Sequence, residues 1–590
     1  MEIAVLNHDK QVWTEYVFNV LFSTMGLPYR IYRNLEKRGN LRLAILYGCE
    51  GKARTLAEEG ISCIVIHRYN GAHEEIPALA DKISFLQGAT KSNEGCMIPV
   101  LLESTEEPAA GEVLYCWADT CKSAITIRRI GSAYFVDVGF DLPVSTYLMI
   151  GREEEVFSRA SDRYGRFSAK HAILWRKGLL AEPIVNQYIK LLMELIIEVL
   201  RREGLPLLQK WYWPYRKEFA LCLTHDIDVV KKWSLGKIKD EFHNLWRMKE
   251  NPGTSGAFSK SVRTVCSIVE GENSYWNFRS IMDMEEAYGF RSSFYFSTQK
   301  DVPHGLEYDI EDKRLIGVMK ELSERGWEVG LHGGFDAFND IGKLRREKEK
   351  LEGLIEEEVT GIRQHYLLFK VPLTWNVQQT AGFSYDCTFG YADCEGFRAG
   401  IAFPFYPYDP IGHRKLDILE IPLTVMDGTL GKYRGLSAPE ADKVLLNIFR
   451  KIKKTNGLGC LLWHNKYFDD MDFPGYGGVF EHLLQWSKDQ NAFGGSGEQI
   501  NRWWRGRDLV RQVGSAYTDS RVEWVYENSG GPLEGLTFKV YCPDEARRAS
   551  VEVSPPLDAD IGGADTPENV IIIQIPYIEE GQCFKISWRK

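Results

Sequence analysis

The sequence predicts an α/β protein whose central part is a (β/α) barrel, complete or incomplete. An N-terminal α/β region precedes the barrel and a C-terminal β-rich region follows it. Three observations carry that prediction. Strand-like and helix-like segments alternate over about 250 central residues, the pattern of parallel strands joined by crossover helices. Apolar strand runs in that stretch end on titratable residues, as they do where a barrel gathers its working groups at strand C-termini. Beyond residue 495 a short helix gives way to short strand-like runs separated by Gly, Pro and Asp turns. A chain of 590 residues exceeds one hydrophobic core, and the shifts in pattern divide it at 1–205, 206–495 and 496–590.

In the first region Ile3–Leu6 reads as a strand, and Val12–Met25 repeats apolar residues at helical spacing up to Gly26. Leu41–Tyr47 and Ile61–His67 are strand-like around a polar helix at Gly51–Glu59, which predicts a partly parallel sheet. Shorter β-like runs follow from Ile98 (Val100–Leu102, Glu112–Trp117, Ser123–Arg128, Tyr134–Val138), and a helix over Pro183–Arg202 closes the region. The central region opens on the apolar run Phe219–Leu223. After a charged excursion at Lys231–Lys260, helix and strand alternate through Ser292–Phe296, Glu328–Leu331, Gly361–Arg363, Gly382–Tyr385, Ile418–Pro422 and Gly459–Trp463. A Trp-containing helix at Gln499–Arg507 leads into runs that predict a small β-sandwich, with Trp503 and Trp504 packed between regions.

Composition narrows the function classes. The chain is 44% apolar and 26% charged, with 72 Lys and Arg against 82 Asp and Glu and a net charge of −10. That balance disfavours binding to a phosphate backbone, so no nucleic-acid partner is expected. The N-terminal residues lack the basic start and apolar core of a signal peptide, and no run approaches the roughly 20 apolar residues of a membrane span. The twelve cysteines are scattered without a CxxC pair, many of them in apolar strand-like runs; Cys116 and Cys121 could approach each other but read as buried free thiols. A cytoplasmic location is the expectation.

The chemistry-bearing residues follow the strands. Asp226 and Asp228 stand two apart after Phe219–Leu223. Hydrolysing an amide at neutral pH needs an activated water and a proton acceptor, and two carboxylates at one strand end can divide those tasks. His332 ends Glu328–Leu331, and Asp336 offers a second donor four residues on if that segment is one helical turn. Arg363, in Arg363-Gln364-His365-Tyr366, could orient a catalytic carboxylate, while a backbone N–H in that turn stabilises an oxyanion. His464 follows Leu461-Leu462-Trp463 and could protonate a leaving amine. Each also has a bland reading: a solvated acidic pair, a histidine beside a Gly-Gly turn, a surface ion pair, a core histidine. The aromatic segment Gly390–Pro410 fits a sugar-binding loop or a loop packed over the barrel mouth equally well, and Trp375, His413 and Asp427 are further polar or aromatic candidates.

In this order the motifs resemble those of the NodB-homology polysaccharide deacetylases, carbohydrate esterase family four. Thr224–Asp228 looks like the first motif, usually Thr-Phe-Asp-Asp, and Ser292–Phe296 like the strand that follows it. Glu328–Asp336 is similar to the second motif, Arg363–Tyr366 to the third, and Leu462–His464 to the fifth. The resemblance covers about residues 219–486. It implies a distorted (β/α) barrel and a hydrolase that removes an acetyl group from an N-acylated sugar. Asp226 would be the base, oriented by Arg363, with the Tyr366 N–H at the oxyanion and His464 the acid. Asp228, His332 and Asp336 would hold one divalent metal, zinc first, with manganese, iron or cobalt compatible. The departures are an extra residue in Asp226-Ile227-Asp228, Asp336 where the family has a second histidine, and His365 where it has proline. Asp386 is the candidate for the fourth motif, the carboxylate that tunes the histidine. A carbohydrate substrate follows from the resemblance. A metal hydrolase of a non-carbohydrate amide and a non-catalytic carbohydrate-binding scaffold fit the same residues.

Overall fold

Strand β1 (Phe219–Ile227) is buried along its whole length, the mark of a parallel strand covered on both faces. It lies near the centre of a parallel sheet with β2 (Ser293–Phe296), β3 (Glu328–Gly333), β4 (Gly361–Gln364), β5 (Tyr385–Asp386), β6 (Leu419–Glu420), β7 (Leu423–Met426) and β8 (Leu458–Leu462). The order across the sheet is β6-β5-β4-β3-β2-β1-β8-β7, with Ala492–Gly495 added beside β1. The two ends of that order, β6 and β7, are consecutive in sequence around Ile421 and Pro422. One stretch of chain therefore pairs with β5 at its start and with β8 at its end, bringing the sheet round on itself. Pro422 has no N–H for a ladder and suits the point where the stretch changes partners. The computed structural model describes all residues except 1–2, 10, 35–40, 70–82, 91–92, 94–96, 105, 234–263, 265–267, 269–272, 301–305, 519, 544–548 and 564–568. Most of the expected excursion at Lys231–Lys260 lies outside the described residues.

The N-terminal region is built on a nine-stranded sheet, parallel where Tyr29–Tyr32, Ile3–Asn7, Leu43–Tyr47, Ser62–Ile66 and Ala133–Val138 adjoin in that order and antiparallel past Ala133–Val138. Helices Val12–Met25 and Ile184–Arg202 cover it with apolar faces. The run expected at Val100–Leu102 is the strand Met97–Val100. Cysteines among the described residues are free thiols, but Cys121 is exposed in the turn between the paired strands Glu112–Trp117 and Ser123–Ile130, and Cys116, near the end of the first of these strands, is half-buried.

Two four-stranded antiparallel sheets make the C-terminal region, and one of them recruits Leu207–Lys210 from ahead of the barrel, paired with Leu533–Tyr541. Arg507 ties the junction. Its buried guanidinium donates to the carbonyls of Ser23 (3.0 Å), Thr24 (2.9 Å), Lys210 (3.1 Å) and Trp211 (2.8 Å). Gly26 allows the approach. Its φ of 70° caps the first helix in the left-handed region, and a Cβ there would lie 2.0 Å from the Lys210 carbonyl oxygen. Trp503 and Trp504 are buried at this junction, with Trp503 Nε1 donating to Tyr212 O at 2.8 Å.

Candidate functional site

Strand alternation decides which residues of β1 face the barrel interior. Thr224, Asp226 and, just past the strand, Asp228 share one face. His225 takes the other, where its ring nitrogens meet Trp463 O (2.5 Å) and Glu285 Oε1 (2.8 Å). The residue between the two aspartates is thus what directs both carboxylates inward.

The Asp228 carboxylate is shared between two sets of neighbours. Its Oδ1 lies 3.5 Å from His332 Nε2 and 3.6 Å from His365 Nδ1, and these two nitrogens are 2.8 Å apart. Its Oδ2 lies 3.5 Å from His464 Nε2 and 3.3 Å from Lys466 Nζ. Burial works against the Asp228 charge, but Lys466 and the imidazoles outweigh it and hold the carboxyl well below its usual range. Burial, then the neighbouring His332, pushes His365 down to about 4, so its ring is neutral at neutral pH. His332 Nδ1 donates to Arg363 O at 3.0 Å, which fixes the tautomer and leaves the Nε2 lone pair turned toward His365 and Asp228.

Asp228, His332 and His365 offer ligand atoms within 4.8 Å of one another. Donors on one zinc-like ion, at bonds of about 2.0–2.1 Å, sit roughly 3–3.5 Å apart. The observed spacings of 2.8, 3.5 and 3.6 Å bracket that range within a few tenths of an ångström, and Asp228 Oδ1 is buried without a hydrogen-bond partner. A divalent cation satisfies the orphaned oxygen and both ring nitrogens together, so these residues fit the metal.

Asp226 lies beside this group, Oδ2 at 3.7 Å from His332 Nδ1, and its Oδ1 has no hydrogen-bond partner. Arg363 is buried in the barrel, with Nη2 donating to Thr224 Oγ1 at 2.8 Å. Burial disfavours its charge, and Asp226 more than restores it. His464 donates from Nδ1 to Asp427 Oδ1 at 2.7 Å, and its backbone N–H reaches Asp427 Oδ2 at 2.5 Å. Burial opposes the imidazolium, but Asp427 and Asp228 raise the pKa above its ordinary value.

The structure therefore brings Asp226, Asp228, His332, Arg363 and His464 together at strand C-termini and leaves two expected residues elsewhere. Asp336 is directed outward, pairing with Lys343 Nζ at 2.5 Å and Gln299 Nε2 at 3.1 Å. No helix begins until Ile341, so a spacing of four does not return its side chain to His332. The Gly333-Gly334 turn is tightly packed, with Gly334 N donating to Glu347 at 2.8 Å and a Cβ on Gly334 destined to lie 2.2 Å from the Gln299 side chain. Asp386 points away from the barrel interior and accepts from Gln378 (2.7 Å) and Thr388 Oγ1 (2.5 Å). Alternation along β5 gives the interior to Tyr385 and Cys387. The carboxylate on His464 is Asp427, and the third imidazole at Asp228 is His365.

Tyr366, with φ of 60°, sits in the left-handed region, as does Leu367. The Tyr366 carbonyl accepts a 2.6 Å hydrogen bond from Arg166 Nη1 of the N-terminal region, whose Nη2 also reaches Tyr433 Oη at 3.2 Å. Tyr164 packs on the Tyr366 ring with centroids 5.0 Å apart. The same region buries the aromatic segment expected at 390–410. Tyr391, Phe397, Arg398, Phe403, Phe405 and Tyr408 are all buried, and Arg398 pairs with Glu155 of the N-terminal region at 2.5 Å. That segment is a packed junction. Trp375 is buried with Nε1 on Glu420, at 2.7 Å, and His413 is exposed.

A family of unknown function (DUF7033) matches residues 3–201. No curated protein sequence matches the chain. Among solved structures, a protein designated a polysaccharide deacetylase from Mycobacterium smegmatis is similar at 15% identity and a TM-score of 0.34, over 52% of this chain and 98% of that one. Puue allantoinase is similar at 14% identity and 0.34, over 50% and 92%. A probable polysaccharide deacetylase from Pseudomonas aeruginosa PAO1 is similar at 13% identity and 0.33, over 50% and 93%.

Proposed function

We propose that this chain is a metal-dependent hydrolase that removes an N-acyl group, an acetyl, from a sugar or a sugar-polymer precursor. The observation that supports it most is the set of Asp228, His332 and His365, flanked by Asp226 on one side and the His464–Asp427 pair on the other. Asp228, His332 and His365 would hold one divalent ion, zinc by its nitrogen and oxygen donors, with manganese, iron and cobalt also accommodated. Such an ion, when bound, lowers the pKa of water and polarises the acyl carbonyl.

The chain's own residues do the rest. Asp226 takes the proton from the attacking water, with the Arg363 charge beside it. The Tyr366 N–H faces the oxygen that gains charge as the carbonyl carbon becomes tetrahedral. His464, whose protonated form Asp427 favours, gives its Nε2 proton to the departing nitrogen as the C–N bond breaks. The acyl group leaves as a carboxylic acid and the sugar as a free amine. A cytoplasmic enzyme of this kind would act on a precursor or an oligosaccharide.

The test is acetate release by metal-loaded protein from N-acetylated amino sugars, their oligomers and simple non-carbohydrate amides. Release from the sugars is the expected result. Release from the other amides alone would assign the same residues to a non-carbohydrate amidohydrolase. Metal-loaded protein that hydrolyses neither class would overturn the catalytic reading.

A further inference from the structure

One layer beneath Asp226 the barrel interior holds three cysteines from three different strands or strand exits. Cys222 lies on β1 and Cys460 on β8, directly opposite each other in the register of the two strands. Cys387 follows β5, its N–H donating to Ile362 O at 2.9 Å. All are fully buried, and their sulfurs lie within 4.8 Å of one another. Cys222 is two residues before Thr224 and four before Asp226, so the group sits on the inward face directly under the catalytic layer.

Buried cysteines ordinarily act as small apolar side chains, and these three do sit within the main apolar core, but they have polar neighbours as well. Arg363 Nη2 is 3.8 Å from Cys460 Sγ, while Arg363 Nε and Nη1 are buried without hydrogen-bond partners. Tyr295 Oη donates to Cys387 Sγ at 3.4 Å. A guanidinium charge beside these sulfurs would favour their thiolate form.

We propose that Cys222, Cys387 and Cys460 form a second metal site, a buried trithiolate for a soft divalent ion of the zinc class, closed beneath the Asp228, His332 and His365 group. Thiolate sulfurs at about 2.3 Å from a zinc-like ion stand roughly 4 Å apart, inside the spacing seen. Soft sulfur donors select such ions over magnesium, calcium or manganese. A divalent ion on three thiolates leaves one net negative charge, which the neighbouring Arg363 offsets. Binding the ion must release the thiol protons. An ion here would join β1, β5 and β8 at the foot of Arg363, the residue that orients Asp226.

Cobalt(II) distinguishes the two sites, because thiolate ligands give an intense near-ultraviolet charge-transfer band and an aspartate-histidine set does not. The full chain, stripped with a chelator and titrated with Co2+, should develop that band. His332→Ala should keep it, while Cys460→Ser and Cys222→Ser should lose it with metal content about halved. Cys121→Ser, at an exposed thiol, should leave it unchanged. Zinc-edge X-ray absorption on the zinc-loaded wild-type chain should show a sulfur shell, and this decides the matter even where a cysteine variant fails to fold. Absence of the band in the wild type, its persistence in both cysteine variants, or a zinc environment of nitrogen and oxygen alone would overturn the proposal.

Discussion

Asp427 clasps His464 twice, through the Nδ1–H at 2.7 Å and through the histidine's own backbone N–H at 2.5 Å. The double contact fixes ring orientation and charge together. Nε2 is left facing the Asp228 carboxylate, at 3.5 Å, where a substrate nitrogen would depart.

Asp427→Asn removes the charge and keeps the shape. Burial opposes the His464 cation, and Asp427 is the largest influence restoring it, so its pKa falls in the variant. Less imidazolium remains at neutral pH, and the alkaline limb of the kcat/KM profile moves to lower pH. Activity at neutral pH should fall about 10-fold or more, bounded above by the ~10²–10⁴-fold contribution of a positioned acid. A profile matching the wild type would show that Asp427 does not tune the acid.

His365→Ala and Asp336→Ala separate a ligand from a surface carboxylate. Losing a direct donor should weaken metal binding by more than the ~10–100-fold typical of an outer hydrogen-bond partner. Elemental analysis after dialysis should find His365→Ala depleted and Asp336→Ala loaded like the wild type. The reverse outcome would return Asp336 to the site.

Asp226→Asn keeps the metal donors and removes the proton acceptor. Metal content should be unchanged while kcat drops ~10²–10⁴-fold. A variant that retains turnover would assign the base elsewhere.

Arg166→Ala tests whether the N-terminal region shapes the active centre. Its 2.6 Å bond to Tyr366 O holds a residue of positive φ. Releasing that turn should lower kcat about 10-fold with KM and metal content little changed, well under the ~10²–10³-fold cost of deleting an oxyanion donor. An unaltered kcat would make Arg166 a purely structural tie.

Asp141 gives a pH signature away from the site. Burial lifts its carboxyl from 3.8 to about 6, although it accepts from Tyr69 N, Val144 N and Tyr47 Oη. A raised carboxyl stabilises the fold fully below the unfolded value, and that contribution is lost as pH climbs through 6. Two pH units correspond to about 3 kcal/mol at most. Urea unfolding of Asp141→Asn between pH 4 and 7 should show a flatter pH dependence than the wild type.

How much of this was legible in the sequence follows from local geometry. Asp226, His332 and His464 stand where buried apolar runs stop, and a parallel strand delivers such residues to one end of a barrel. Asp427, a further candidate in the sequence, stands in the same position after β7, and the same rule applied there would have put it beside His464. His365 was visible only as a departure from a proline. Its signal is parity, since Arg363 faces inward and the residue two further on returns to that face. Asp336 and Asp386 misled because one required a helical turn where Gly333 and Gly334 make a tight bend, and the other sits on a strand too short to show its alternation. The pairing of Leu207–Lys210 with Leu533–Tyr541 joins segments more than 300 residues apart, and neither segment carries a pattern naming its partner.

That pairing reaches beyond the sheet in which it occurs. A fragment cut at the pattern boundaries near 205 and 495 would carry Leu207–Lys210 without the strand that accepts it and strip Arg507 from the carbonyls of Ser23, Thr24, Lys210 and Trp211. The excised barrel would expose a raw edge and lose its clasp to the first helix, which is a recipe for aggregation. Calorimetry on the intact chain should accordingly show the barrel and the C-terminal sheets melting as one cooperative unit.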